Sequence, residues 1–295
     1  MNQTAINEYL SPEQVNKVLS FHPKGLIALD LETTGLSPYT DQIIEIGAIK
    51  IDSQGNVSTY QQLINPEIII PERTIAIHGI TNNMVKDSPT IETVLPKFLD
   101  FFDSSSALAH NAQFDFGFIM QAIIKLELDH PKCKIYDSIK LGRTIYKKKK
   151  ERPLSFKLND IAEYFDINFN HHRAMDDALT CLLIYEKMLP GHKTKLTTEL
   201  IEKGYLFEIN PDFMKHAKDL PEHLQGILEP INNRQKIYIV YKGGSFGNKL
   251  RPIIPMALLP TPKELVLYAQ CMISNHNKSF KLNKIKRFSL KPEEN

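Results

Sequence analysis

Tryptophan is missing from this 295-residue chain, and cysteine occurs only three times. Cys133, Cys181 and Cys271 lie far apart and form no CxxC pair. That spacing excludes a disulfide framework and a cysteine-built zinc site, and it fits a reducing cytoplasm. Each thiol reads as a small buried apolar group. No apolar run reaches the roughly 18 residues that a membrane-spanning helix needs. The opening segment, from Met1 to Ser20, lacks a basic stretch followed by an apolar block, so it does not read as a secretory signal. Internal repeats and long low-complexity tracts are also absent. The expectation is a cytoplasmic protein with no membrane partner.

What is present is ordinary in amount and uneven in distribution. Hydrophobic residues make up 42% and charged residues 24%, typical of a folded domain. The net charge of +2 hides an asymmetry: residues 1–190 hold 19 Lys/Arg against 24 Asp/Glu, and residues 191–295 hold 17 against 10. An acidic part beside a basic part is compatible with a polyanionic substrate. The densest basic run is Lys147 to Lys150, followed by Glu151-Arg152-Pro153. It is either a solvated loop or a phosphate clamp.

Periodicity gives an α/β order. Leu26 to Leu31 is a buried strand. Ile43 to Ile51 and Val57 to Ile64 are β-rich and joined by the turn-forming Asp52-Ser53-Gln54-Gly55-Asn56, which predicts a hairpin. Met84 to Phe102 has helical spacing, Ala107 to Ala109 reads as a strand, and Phe114 to Leu126 as a helix. Ile135-Tyr136 follows as a strand, then helices over Lys157 to Phe165 and Ala174 to Leu189, the last stopped by Pro190. Ser11-Pro12-Glu13-Gln14 looks like a helix start. Beyond Asn233 short β-rich runs alternate with turns. Pro252, Pro255, Pro260 and Pro262 are expected to confine those runs to edges or strand ends. The implied domains are a helical extension over 1–23, an α/β domain over 24–190, a helical linker over 191–232 and a small β-rich domain over 233–295.

Three segments carry acids in suggestive places. In Leu29-Asp30-Leu31-Glu32-Thr33-Thr34-Gly35, Asp30 and Glu32 end a strand two residues apart, so both project from one face. Two such carboxylates repel each other, and a divalent cation such as magnesium or manganese would offset that. In His110-Asn111-Ala112-Gln113-Phe114-Asp115, Asp115 falls in the first turn of a helix, where the dipole favours an acid. In His171-His172-Arg173-Ala174-Met175-Asp176-Asp177, two His–Asp pairs occur at spacing five. Asp177 shares a helix face with Ala174, Ala178, Cys181 and Ile184, whereas Asp176 lies with Thr180 and Lys187. Asp177 is therefore the better inward ligand. Five residues turn a helix by roughly 140°, so the histidine must approach from the preceding loop.

Together the three segments resemble the exonuclease motifs of the DEDDh, or DnaQ-like, family. That family includes the epsilon proofreading subunit of bacterial DNA polymerase III, PolC-type polymerases, ribonuclease T and oligoribonuclease. The likeness spans about residues 24–190 and is greatest to the epsilon and PolC-type branch. It selects His172 over His171, through the pattern His172, Ala174, Asp177. It implies a ribonuclease H-like fold, with a mixed five-stranded sheet flanked by helices. It also implies 3′–5′ removal of nucleoside monophosphates, with proofreading, replication or repair as its setting. Asp30, Glu32, Asp115 and Asp177 would hold two Mg2+ or Mn2+ ions about 3.5–4 Å apart, and His172 would act as general base. Thr33, Thr34, His78, Asn111 and Phe114 would neighbour the terminal nucleotide. The substrate would be nucleic acid with a free 3′ end, DNA being favoured and RNA the alternative. A proofreading role would need a polymerase partner. The rival reading is a non-enzymatic regulator that binds nucleic acid or senses a nucleotide.

Lys236 to Phe288 resembles the WYL domain of bacterial regulators, an SH3- or Sm-like β-rich module. The segments that carry this are Ile239-Val240-Tyr241, Leu250 to Pro255, Leu267 to Cys271 and Phe280 to Ile285. Leu265-Val266-Leu267 stands at the position of the family's name-giving triplet, and Lys281 and Lys284 stand where arginines are usual. The resemblance implies a nucleotide or nucleic-acid ligand for this domain.

Overall fold

The computed structural model describes residues 10–103, 105–129, 131–168, 173–208, 220–243, 246, 249–260 and 264–292. It divides into two compact units. One comprises the chain up to Gly35 together with Gln42–Ile209; the other comprises Leu36–Asp41 with everything from Asn210 onward.

The first unit begins with α1 (Pro12–Phe21), which opens on a capping box. Ser11 Oγ accepts from Gln14 N at 3.3 Å, and Gln14 Oε1 accepts from Ser11 N at 2.8 Å. Strand β1 (Gly25–Thr33) follows, then β2 (Ile43–Asp52) and β3 (Val57–Leu63). The turn between β2 and β3 is held by Asp52 Oδ1, which accepts from Gln54 N at 2.8 Å and Asn56 N at 2.9 Å. Helices α2 (Glu72–His78), α3 (Asn82–Val85) and α4 (Ile91–Phe102) lead to β4 (Ser106–Ala109). The single helix expected over Met84 to Phe102 is thus two. Proline at 89 disfavours helical backbone at Ser88, and Thr90 takes an extended conformation to start α4. Next come α5 (Ala112–Lys125), β5 (Lys134–Asp137), α6 (Ser138–Tyr146), α7 (Leu158–Tyr164), α8 (Ala174–Met188), α9 (Lys195–Glu202) and β6 (Tyr205–Glu208).

The sheet order is β3-β2-β1-β4-β5-β6. Strands β1, β4 and β5 run parallel, and the other pairings are antiparallel. The mixed sheet therefore has six strands rather than five. The sixth, β6, comes from beyond Pro190 and pairs with β5. Strand β1 lies centrally and is covered on both faces, which is why it reads as an unbroken apolar run. Leu26 and Ala28 belong to one buried cluster with Cys181, Leu182 and Tyr185 of α8. Asp30 and Glu32 continue the same alternation. Helix α8 packs along β1 and β2.

The second unit is a five-stranded antiparallel sheet of β7 (Ile237–Tyr241), β8 (Leu250–Pro260), β9 (Leu265–Cys271), β10 (His276–Lys281) and β11 (Ile285–Ser289), in the order β10-β9-β8-β7-β11. The run expected over Ser279 to Phe288 is two strands, separated by a short turn over Leu282–Lys284. The expectation that proline confines these runs to edges fails for β8. It lies between β7 and β9 although Pro252 and Pro255 fall inside it. The β8–β9 pairing shifts register between Pro255 and Ala257, and this irregularity absorbs the missing donor of Pro255. Pro262 lies outside the described residues. All three cysteines are free and buried. Among the described residues no helix is long and apolar enough to cross a membrane.

Candidate active site

Asp30 and Glu32 reach the carboxyl end of β1 on the face that meets α8. Asp177, in the first turn of α8, comes to them from the opposite side. One carboxylate oxygen from each of Asp30, Glu32 and Asp177 lies within 4.8 Å of the others. Asp115 joins from the first turn of α5: its Oδ1 accepts from Leu31 N, between the two β1 acids, at 3.2 Å. The four acids thus converge on one end of one strand from three separate elements.

Their electrostatics show how costly this is for the protein alone. Burial raises Asp30 well above the usual carboxylate range, and Asp115, Glu32 and Asp177 add to the shift. Glu32 is pushed up to about 8, first by burial and then by Asp177 and Glu45. Asp115, only 2% exposed, is pushed up to about 8 by burial, with Asp137 and Asp177 adding repulsion. An all-oxygen donor set of this charge is the chemistry that hard divalent cations require.

Two residues of β2 bring Asp177 into place. Glu45, opposite Glu32 in the β1–β2 register, is fully buried. Its carboxylate accepts from Arg173 Nη2 at 2.7 Å, from Arg173 Nε at 3.2 Å and from Ala174 N at 3.2 Å. It therefore caps the start of α8 from another element, where Arg173 itself offers no side-chain cap. Gly47, opposite Asp30, permits the approach of that helix. A Cβ there would stand 2.2 Å from both the Ala174 carbonyl carbon and Met175 N.

The other predicted residues fall as follows. Thr33 is buried, and its hydroxyl donates to Gly35 O at 2.6 Å. Thr34 is buried, and its hydroxyl accepts from Gln42 N at 2.9 Å. Both hydroxyls are thus engaged within their own loop. His78 is buried at the end of α2, with Nδ1 accepting from Ile80 N at 3.0 Å. Asn111 is exposed and left-handed, with φ 71°, a conformation asparagine tolerates better than most residues. Phe114 is half-buried, its ring 5.1 Å from that of Phe118. His171 and His172 lie outside the described residues; Arg173, next to them, is the residue that Glu45 holds.

Sequence reasoning missed Glu45, Gly47, Arg173 and Asp137. The signal for Glu45 was available: an acid inside the apolar run Ile43 to Ile51, which is tolerable only if paired. Asp137 ties two turns together, its oxygens accepting from Ala112 N and Lys140 N, each at 2.7 Å.

The sequence profile of the RNase T exonuclease family matches residues 27–185, more than half of the chain. The chain belongs to this exonuclease family. It is 35% identical over 254 residues to the PolC-type DNA polymerase III of Caldanaerobacter subterraneus subsp. tengcongensis, a match over 83% of this chain and 17% of the relative. The corresponding protein of Clostridium perfringens is 31% identical over 281 residues, covering 90% of this chain and 18% of the relative. The chain therefore spans less than a fifth of the length of these relatives. Among solved structures, a product-bound exonuclease I is similar with a TM-score of 0.51 and 16% identity, over 88% of this chain and 64% of that one. E. coli exonuclease I in complex with an oligonucleotide has a TM-score of 0.50 and 15% identity, over 83% and 55%. At these identities the structural likenesses carry the fold alone.

Proposed function

We propose that the first unit is a divalent-metal-dependent 3′–5′ exonuclease that releases nucleoside monophosphates from the end of a nucleic acid strand. The observation that carries this reading is the convergence of Asp30, Glu32 and Asp177 within 4.8 Å, with Asp115 bonded to the backbone between the first two.

The four acids fit a pair of Mg2+ or Mn2+ ions. When bound, such ions supply positive charge at the scissile phosphate and lower the pKa of water. The protein's own residues do the rest. Asp30, Glu32, Asp115 and Asp177 fix the ligand oxygens on rigid elements, so little reorganisation is needed. Glu45 and Arg173 hold the start of α8, and with it Asp177. His172, one residue before Arg173, takes the proton from the attacking water in this reading. Its ordinary pKa near 6.5 suits that task near neutrality. Asn111, just before α5, and Phe114, in the same helical turn as Asp115, together with Thr33, Thr34 and His78, are the proposed neighbours of the terminal nucleotide.

DNA is the favoured substrate, because the curated relatives named above are DNA polymerases; RNA is the alternative. Their name also makes a polymerase the proposed partner, with proofreading as the setting and the cytoplasm as the location. The second unit is proposed to be a WYL-like module that binds nucleic acid or a nucleotide; its five antiparallel strands support that assignment only at the level of architecture.

The test is direct. Purified protein is incubated with magnesium and with DNA or RNA oligomers labelled at the 5′ or the 3′ end. A ladder shortening from the 3′ end, with mononucleotide product, is expected. Internal cuts, shortening from the 5′ end, or full activity of an Asp30→Ala protein would refute the reading.

A further inference from the structure

A cavity of about 460 Å³ opens beside the acidic cluster, and the assignment of the four acids leaves it without a role. Asn111, Asp137, Lys140, Arg143, Lys147 and Leu206 are among its walls. It lies outside the carboxyl ends of β4 and β5, and the acids lie at the same end of the parallel neighbour β1. Open α/β sheets bind their ligands along this edge. The distance between the two sites is short: Asn111 immediately precedes α5, whose first turn carries Asp115, and Asp137 is near enough to raise the pKa of Asp115.

The cavity is basic for a structural reason. Lys140, Arg143 and Lys147 follow one another at helical spacing along α6 and its last turn, so they share a face. All three are exposed. Against these three cations the named walls hold one acid, Asp137, whose oxygens accept backbone N–H groups and whose charge attracts Arg143 and Lys140, so an excess of positive charge remains. Among the described residues neither Arg143 nor Lys147 has an ion-pair partner. Lys140 Nζ donates to the carbonyl of Tyr205, and the Arg143 guanidinium sits 5.9 Å from the centre of the Phe156 ring. Two of the three cations are therefore already steered by neighbours. Seven helical residues span about 10 Å, a length that reaches neighbouring phosphates along one strand. Lys147 also opens the run of four consecutive lysines.

We propose that this cavity is a groove for the internucleotide phosphates of the strand that enters the acidic site, gripped by Lys140, Arg143 and Lys147. The groove rests on the exonuclease reading of the acids, and it assigns those cations to the strand upstream of the bond that is cut. It holds phosphate without reading bases, so it favours longer strands over short ones of any sequence.

The test compares the intact chain with a Lys140→Glu, Arg143→Glu, Lys147→Glu triple variant and with Lys147→Glu alone. Hydrolysis of a single-stranded octanucleotide and of a dinucleotide is followed with magnesium. Binding of a labelled octanucleotide is followed separately by anisotropy in EDTA across a salt series. The triple variant is expected to raise KM for the octanucleotide roughly tenfold or more and to flatten the logarithmic salt slope by about 2, with the single variant giving about one third of that. Dinucleotide hydrolysis stays unchanged. An unchanged octanucleotide KM and salt slope overturns the groove, as does an equal loss on both substrates. Selective loss of inhibition by added nucleoside monophosphate, with no effect of strand length, also overturns it, because the cavity would then hold free product. If the intact chain hydrolyses neither substrate, the exonuclease reading fails, and the anisotropy comparison still decides the groove.

Discussion

Glu45 holds Arg173 across 128 residues of sequence, through hydrogen bonds of 2.7 Å to Nη2 and 3.2 Å to Nε. The pair positions the start of the helix that carries Asp177. Glu45→Gln removes the fully buried anion of the pair and leaves Arg173, whose side chain is 40% exposed, without its counter-charge. The stability cost of Glu45→Gln is therefore set at about 1–3 kcal/mol, below that of a wholly buried pair. Activity should fall more, by about tenfold to a hundredfold, because small misplacements of reacting groups are amplified in the rate. The loss should appear in kcat rather than KM. Arg173→Lys should not restore it, since a lysine cannot reproduce the planar fork. Steady-state kinetics beside thermal denaturation will separate the two effects; a variant with normal kcat would remove the positioning role.

Gly47 governs the same helix by bulk instead of charge. Its missing Cβ is where the backbone of Ala174 and Met175 passes, at 2.2 Å. Gly47→Ala must push backbone against backbone, and neither side has a flexible end to give way. A destabilisation of about 1–3 kcal/mol is expected, with kcat reduced by about a hundredfold as Asp177 moves off Asp30 and Glu32. Glycine at 47 would prove incidental if the alanine protein matched the parent in both melting temperature and turnover.

Asp30 is the acid of the cluster that four neighbouring carboxylates oppose, with Asp115, Glu32, Asp177 and Glu45 all raising its pKa. Replacing it should therefore separate stability from function. Asp30→Asn is expected to abolish hydrolysis, yet to raise the melting temperature of the metal-free protein by relieving repulsion. Magnesium or manganese should raise the melting temperature of the parent by mass action and leave the variant almost unmoved. In the parent, EDTA should stop hydrolysis and added manganese restore it. Calorimetry with and without cation checks each part, and equal cation stabilisation of both proteins would contradict the ligand assignment.

These sites differ in how visible they were in sequence. The β1 acids could be read because a strand alternates strictly, so Leu26, Ala28, Asp30 and Glu32 must share a face. Asp177 could be chosen over Asp176 because Ala178, Cys181 and Ile184 mark the inward side of α8. The supposed polar side of that helix was misjudged: Thr180 is only 1% exposed, its hydroxyl satisfied by Asp176 O at 2.8 Å. Such a back-bond lets threonine be buried, and composition does not reveal it. Strand β6 and helix α6 escaped notice because Tyr205–Glu208 is four residues long and Ser138–Tyr146 carries its cations on the face that looks least structured. The Glu45–Arg173 pair and the basic cavity are products of three-dimensional approach, and no local pattern encodes them.

Outside the acidic cluster, His22 sets a limit on acid tolerance. It is 3% exposed, with Nε2 2.8 Å from the Tyr185 hydroxyl and its ring edge-on to Tyr136 at 4.8 Å. Burial, with the nearby charges of Lys134 and Lys193, lowers its pKa to about 3. The folded imidazole is thus neutral and shares a hydrogen bond with Tyr185, whose hydroxyl burial keeps protonated. Unfolded, the same side chain titrates near 6.5. Between these values the unfolded chain binds the extra proton, so stability falls as pH drops from about 6.5 toward 3 and is unaffected above that window. One proton corresponds to about 1.4 kcal/mol per pH unit. His22→Gln retains a hydrogen-bonding group for Tyr185, as donor or acceptor, but cannot be charged. Its urea midpoint should fall less steeply than that of the parent between pH 6 and 4, and the difference between the proteins should cancel the carboxylates they share. Parallel pH profiles for the two would mean that His22 takes up its proton without unfolding the helices around it.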